Sequence, residues 1–153
     1  MRYTRLMEKI VVGIDGSDAS AAALRWAVED ARARGAEVVA LHAYEVPVPA
    51  ADATPAPPVD LPALVAEVHE GALKFVTEVV ENVVGNAVTV NVAPIAVEDE
   101  PARALLDAAR DADLLVVGSH GHGLSSVFLG SVSFECAQHA LCPVLIHRGS
   151  SPQ

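Results

Sequence analysis

The chain reads as one α/β domain built on a parallel sheet, and three observations predict it. Short apolar runs alternate with segments of helical spacing along the 153 residues. Hydrophobic residues make up 52% of the chain and aromatics only 4%, so the interior must be built from Ala, Val, Leu and Ile, a composition suited to helices laid on a buried sheet. The length fits one core without disulfides or a structural metal and leaves no room for a second, so 1–153 is read as a single domain with a ragged start over 1–7.

Lys9 to Asp15, KIVVGID, is a β-branched run closed by the turn residues Gly16, Ser17 and Asp18. From Ala19 to Arg34, Ala22, Ala23, Trp26, Ala27 and Ala31 recur at helical spacing, and Gly35 stops the helix. Glu37 to Ala43, EVVALHA, is a continuously apolar second strand of the kind covered on both faces. Val46 to Pro62 holds six of the ten prolines and is a surface loop. Helical spacing returns over Leu61 to Val84 and ends near Gly85. Ala87 to Ala93, AVTVNVA, alternates as a third strand, and Glu98 to Arg110, with Pro101 near its start, is the next helix. Asp113 to Gly118, DLLVVG, is the most apolar strand; a helix from about Ser131 to Ala140 and a strand over Pro143 to His147 complete the pattern. Strands joined by crossover helices form a parallel sheet whose ligands bind beyond the carboxyl ends, where the strand order reverses.

Charge narrows the function classes. Ten Lys+Arg against 20 Asp+Glu give a formal net charge of −10 with no basic run, which argues against nucleic acid as a partner. A single nucleotide is still compatible, because backbone N–H groups at a helix start can hold its phosphate. No apolar stretch approaches the roughly 20 residues that cross a bilayer. The start lacks the apolar core of a signal peptide, and Cys136 and Cys142 are the only cysteines, so a cytoplasmic, reducing location is expected.

The segment that most favours ligand chemistry is Gly118 to Ser133, GSHGHGLSSVFLGSVS, between a buried strand and a helix. Gly118 and Gly121 allow a sharp turn and close approach, while Gly130, Ser131 and Ser133 open the helix, where amides and two hydroxyls would face a phosphate. A P-loop is excluded because the segment has no lysine, and GIDGSDAS does not fit G-x-G-x-x-G. Asp15 ends the first strand, where its carboxylate would accept from a ribose or base, help hold Mg2+, or cap its own turn. His120 and His122, with Cys136 and His139, do not make a clear four-ligand zinc pattern, so no metal site is assigned. No G-x-S-x-G elbow activates a serine, so no catalytic residue is assigned.

These segments together resemble the universal stress proteins, specifically their ATP-binding branch. The resemblance runs from Lys9 to Arg148 through KIVVGIDGSDAS, LHAY, VVGSHGHG, LGSVS and CPVLIHR. It implies a five-stranded parallel sheet in the order 3-2-1-4-5 with helices on both faces, and ATP, alone or with Mg2+, above strands one and four; AMP and cyclic AMP are the alternatives. Gly13, Ile14, Asp15 and Ala43 would then flank adenine and ribose. Val117, Gly118, His120 and Gly121 would line the ribose and phosphate side, and Gly130, Ser131, Val132 and Ser133 would cradle the phosphates. One departure stands out: the family pattern G-x2-G-x9-G-[S/T] has only eight residues here between Gly121 and Gly130. The expected function is a nucleotide-binding stress-response regulator, with a slow ATPase or a ligand-free dimeric interaction protein as alternatives. The apolar last strand, Pro143 to His147, would sit at a sheet edge and pair with a second copy, as in the family's dimers.

Overall fold

The computed structural model describes residues 9–47, 58–86, 89–120 and 129–149. The strands are β1 (Lys9–Gly13), β2 (Glu37–Tyr44), β3 (Val92–Glu98), β4 (Leu114–Gly118) and β5 (Val144–His147). Between them run α1 (Asp18–Arg34), α2 (Leu61–Val84), α3 (Pro101–Ala108), which continues into a 3-10 turn over Ala109–Asp111, and α4 (Ser131–His139). All pairings are parallel and the strand order is β3-β2-β1-β4-β5, as expected.

The central strands are apolar at successive positions over 10–12, 38–41 and 114–117 because each face of the sheet has its own cover. Ile10, Val12, Val38, Ala40, Leu114 and Val116 pack in one cluster with Ala23, Leu24, Ala27 and Val28 of α1 and Val76 and Val80 of α2. Their alternates Val11, Leu41, Leu115 and Val117 pack on the other face with Ala104 and Leu105 of α3 and Cys136 of α4. Successive strand side chains point to opposite faces, so the sequence shows a continuous run rather than an alternating one. α1 starts at Asp18 behind Ser17, whose side chain accepts the Ser20 N–H at 3.1 Å, and it ends at Gly35 in the left-handed conformation (φ 71°), with the Gly35 N–H bonded to the Ala31 carbonyl.

Two expected elements are displaced. The third strand is VAPIAVE, not AVTVNVA, because β2 offers a seven-residue ladder from Val38↔Val92 to Tyr44↔Glu98. Asn91 accepts from the Val38 N–H and the Asp99 N–H donates to the Tyr44 carbonyl, so odd-numbered residues of β3 face β2 and the Pro94 nitrogen faces away from the sheet. An edge strand tolerates that proline. Glu98 therefore belongs to β3, and the third helix begins at Pro101, behind Glu100, rather than at Glu98. The carboxyl end of β1 also closes earlier, at Gly13, with Ile14 held by its own N–H on the Leu41 carbonyl at 2.8 Å. Most of the proline-rich stretch lies outside the described residues; its last part caps α2, where the Asp60 side chain accepts from the Ala63 N–H at 3.2 Å.

Both thiols sit in the α4 to β5 region. Burial pushes the Cys136 thiol up to about 11 and raises the half-buried Cys142 as well. Since the thiolate is the nucleophile, alkylation at pH 8 is expected to be slow, with Cys142 modified first and Cys136 protected until unfolding. Intact-mass and peptide analysis after iodoacetamide treatment checks this; labelling of Cys136 at the rate of a free thiol in the folded protein would contradict the packing.

Candidate functional site

The strand order reverses between β1, whose connection runs toward β2, and β4, which lies on its other side. The two connections leave the sheet on opposite faces, so a cleft opens beyond the carboxyl ends of β1 and β4. Its volume is about 260 Å3. Gly13, Ile14 and Asp15 line it from the end of β1, Ala43 from β2, and Val117, Gly118 and His120 from β4 and the turn after it. Gly130, Ser131, Val132 and Ser133 line it from the start of α4. Gly121 lies outside the described residues.

The wall also contains residues the sequence reading did not select: Ser20, Leu41, His42, Pro101 and Leu105. Pro101 and Leu105 arrive because α3 follows β3 yet crosses back over β2 and β1 to reach β4, which lays its first two turns over the cleft. The strand order together with the helix start at Pro101 could have found them. His42 reaches through its ring: Nδ1 and the Ile14 carbonyl are 2.8 Å apart, so Nδ1 carries the proton and donates, and the ring stands edge-on to Phe75 of α2 at 4.7 Å. This bond holds the peptide just before Asp15.

Asp15 is exposed, and its Oδ1 accepts the Ser17 N–H at 2.8 Å and the Ser17 hydroxyl. The carboxylate thus closes an Asx-type turn at the entrance to α1 while standing at the cleft. Ser20, whose hydroxyl donates to the Ser17 carbonyl at 3.0 Å, completes this corner.

On the opposite wall, α4 begins at Gly130 with no side-chain cap. The Gly130 N–H donates to the Ser119 carbonyl at 2.7 Å, which anchors the helix start to the strand it follows. The Ser133 hydroxyl, expected to face a phosphate, instead lies 3.1 Å from the Ser119 carbonyl and 3.0 Å from the Gly130 carbonyl, shared between them and buried. It braces the corner because two carbonyls converge there and a buried hydroxyl is stabilised by donating to them. The amides of Ser131, Val132 and Ser133, in the first turn, have no acceptor within the helix, and Ser131 is exposed. Across the same corner, Ser119 Oγ and His120 Nδ1 are 2.9 Å apart. Cys136 and His139 do not share an environment: the thiol is buried and the imidazole is on the surface.

The arrangement pairs a neutral, largely apolar slot, made by Ile14, Leu41, Ala43, Leu105 and Val117, with a helix start rich in amide donors and an acidic group between them. A flat apolar ring bearing a hydroxylated linker and an anion matches all three.

Comparison with known proteins gives one result. The family model described as "Universal stress protein family" matches residues 7–148. Among curated relatives, universal stress protein Rv2005c of Mycobacterium tuberculosis (strain ATCC 25618 / H37Rv) is 37% identical over 144 residues, covering 92% of this chain and 45% of the relative. A universal stress protein of Thermus aquaticus is 35% identical over 150 residues, covering 94% of this chain and 100% of the relative. This chain spans 45% of the length of the mycobacterial relatives. Among solved structures, the universal stress protein UspA from Lactobacillus plantarum superposes with a TM-score of 0.71 at 23% identity, covering 94% of this chain and 99% of that one. A universal stress protein in complex with cAMP superposes with a TM-score of 0.65 at 26% identity, covering 95% of this chain and 100% of that one.

Proposed function

The chain belongs to the universal stress protein family, and from that premise we propose that it is a stress-response regulator that binds an adenine nucleotide in the cleft between β1 and β4. The ligand is ATP, as in the branch the sequence resembles, or a monophosphate such as AMP or cyclic AMP. One observation carries the reading: the uncapped start of α4, with the exposed Ser131, shares a single cleft with an apolar slot and the Asp15 carboxylate. In this reading Ile14, Leu105, Val117 and the Ala43 backbone hold the base, Asp15 accepts from a ribose hydroxyl, and the amides of Ser131 to Ser133 with His120 hold phosphate oxygens. Gly118 and Gly121 are assigned to the ribose and phosphate side, and Mg2+, where ATP is bound, would be held by phosphate oxygens with help from Asp15. The cAMP bound by a relative of the same fold supports the ligand class.

Nucleotide occupancy would alter the surface presented at the cleft, which is how a binding protein without a catalytic group acts as a regulator; hydrolysis, where it occurs, is slow and incidental. Residues 1–153 act as one domain, in the cytoplasm. The carbonyls of Pro143 and His147 are bonded to β4, so the two-residue repeat turns the peptide groups of Val144 and Ile146 outward along the sheet edge. A second copy of β5 pairs there, giving a homodimer; light scattering at micromolar concentration is expected to return twice the chain mass, and a monomer mass would rule the pairing out.

Calorimetry and equilibrium dialysis with ATP, AMP and cyclic AMP test the central reading. Saturable binding by at least one is expected, and the absence of both heat and retention at millimolar ligand would exclude it.

A further inference from the structure

Resting on the reading of the cleft as an adenine-nucleotide site, we propose that it selects nucleotides carrying one phosphate group, open or cyclic, over triphosphates when no divalent cation is present. The observation is electrostatic. Among the described residues that line the cleft none is Lys or Arg, and Asp15 is the one carboxylate. The sequence over 121–128, GHGLSSVF, contains no Lys or Arg either.

Among the described residues the cations lie off the cleft lining, and several are engaged with carboxylates. Lys9 pairs with Asp111 at 2.9 Å, at the amino end of β1 and so at the opposite end of the sheet. Arg32 and Arg34 pair with Glu29 and Asp30 at the far end of α1, Arg103 with Asp99 and Glu100, and Arg110 with Asp107. Arg148, exposed just after β5, is at the same end of the sheet as the cleft but does not line it.

What remains to attract an anion is the start of α4, equivalent to about half a positive charge, with the first-turn amides and the His120 imidazole. The start of α1 cannot add to it, because Asp18 stands in its first turn and the Asp15 carboxylate already takes the Ser17 N–H. A terminal phosphate monoester carries about −1.5 to −2 charges, and a cyclic phosphate diester one. The amides of one helix start suit a load of that size. Each further phosphate of a triphosphate brings another ionised oxygen into a cleft that already holds Asp15 and offers no cationic side chain to neutralise it. Bound Mg2+ would supply that neutralisation, which makes the preference conditional on metal.

Equilibrium dialysis of the full chain at fixed ionic strength, with chelator present, compares adenosine, AMP, cyclic AMP and ATP, followed by ATP with Mg2+. AMP or cyclic AMP is expected to bind at least tenfold more tightly than metal-free ATP and more tightly than adenosine, with Mg2+ narrowing the gap. Metal-free ATP binding as tightly as both monophosphates overturns the proposal, as does adenosine binding as tightly as they do. Retention of none of the compounds instead removes the underlying reading of the cleft. Asp15→Asn gives a second, independent arm, since the amide oxygen retains the acceptor for Ser17 while the charge is lost. The ratio of ATP to AMP affinity is expected to rise severalfold in this variant, and an unchanged ratio counts against the electrostatic origin.

Discussion

Replacing Gly118 by alanine is expected to lower the unfolding free energy by about 1–3 kcal/mol, the range for forcing a methyl group into a filled interior. A Cβ at this position would lie 3.0 Å from the Ala19 Cβ, 3.1 Å from the Ala19 carbonyl carbon and 3.2 Å from the Ser20 nitrogen. Two of those three atoms are backbone of the first turn of α1, so the helix rather than a side chain must move. That turn carries Ser20 and abuts the Asp15 and Ser17 corner, so nucleotide affinity is expected to fall along with stability. Glycine here serves the contact between β4 and α1 as well as lining the cleft. Gly71, exposed in α2 with nothing within 4 Å of an added Cβ, is the control. Gly71→Ala is expected to raise stability by about 0.5–1 kcal/mol, since glycine costs that much in a helix interior. Urea titrations of both variants check the opposite signs; a Gly118→Ala midpoint equal to the parent's, at an unchanged slope, would show that α1 yields at no cost.

Ser131→Asp separates folding from binding more sharply. Ser131 is the first residue of α4, exposed at the cleft, and no side chain caps this helix. A carboxylate there interacts favourably with the helix dipole and is expected to stabilise the fold by about 0.3–1 kcal/mol. The same carboxylate occupies the amide-rich corner assigned to phosphate and repels it, so affinity for a monophosphate should fall at least tenfold, or about 1.4 kcal/mol. General damage would move both quantities in the same direction. Thermal melts and calorimetry on the same preparation read them out; a stabilised variant with undiminished affinity would place the phosphate away from α4.

How far each feature could be read from the chain depended on whether its cause was local. The first, second, fourth and fifth strands and the bounds of α2 follow from apolar runs, β-branching, proline and glycine, all of which act within a few residues. The third strand failed because alternation in AVTVNVA is a one-strand pattern, while the actual segment was chosen by its seven-pair ladder with β2. Pro94 lies within VAPIAVE, and its place on the sheet edge, with its nitrogen turned outward, is what the strand needs to hold it.

The candidate cleft divides in the same way. Asp15, Gly118, Gly130, Ser131 and Ser133 were visible in polar, glycine-rich turns after apolar strands, while Gly13, Ile14, Ala43, Val117 and Val132 were expected only from the family resemblance. Leu105 and Pro101 are ordinary helix residues in sequence and reach the cleft only because α3 crosses back over the sheet. The Ser133 hydroxyl looked like a phosphate donor until folding set the Ser119 and Gly130 carbonyls against it.

Local chemistry in this chain was therefore enough to specify a parallel α/β sheet, the glycine-rich turns that end its strands, and an interior built without cations. Which strand segment pairs at the edge, which glycine serves packing, and which hydroxyl is already engaged were decided by contacts between residues far apart in the chain. The reason is physical: secondary structure responds to backbone preference and hydrophobic period within a turn or two, whereas hydrogen-bond pairing and close packing depend on atoms that no short window contains.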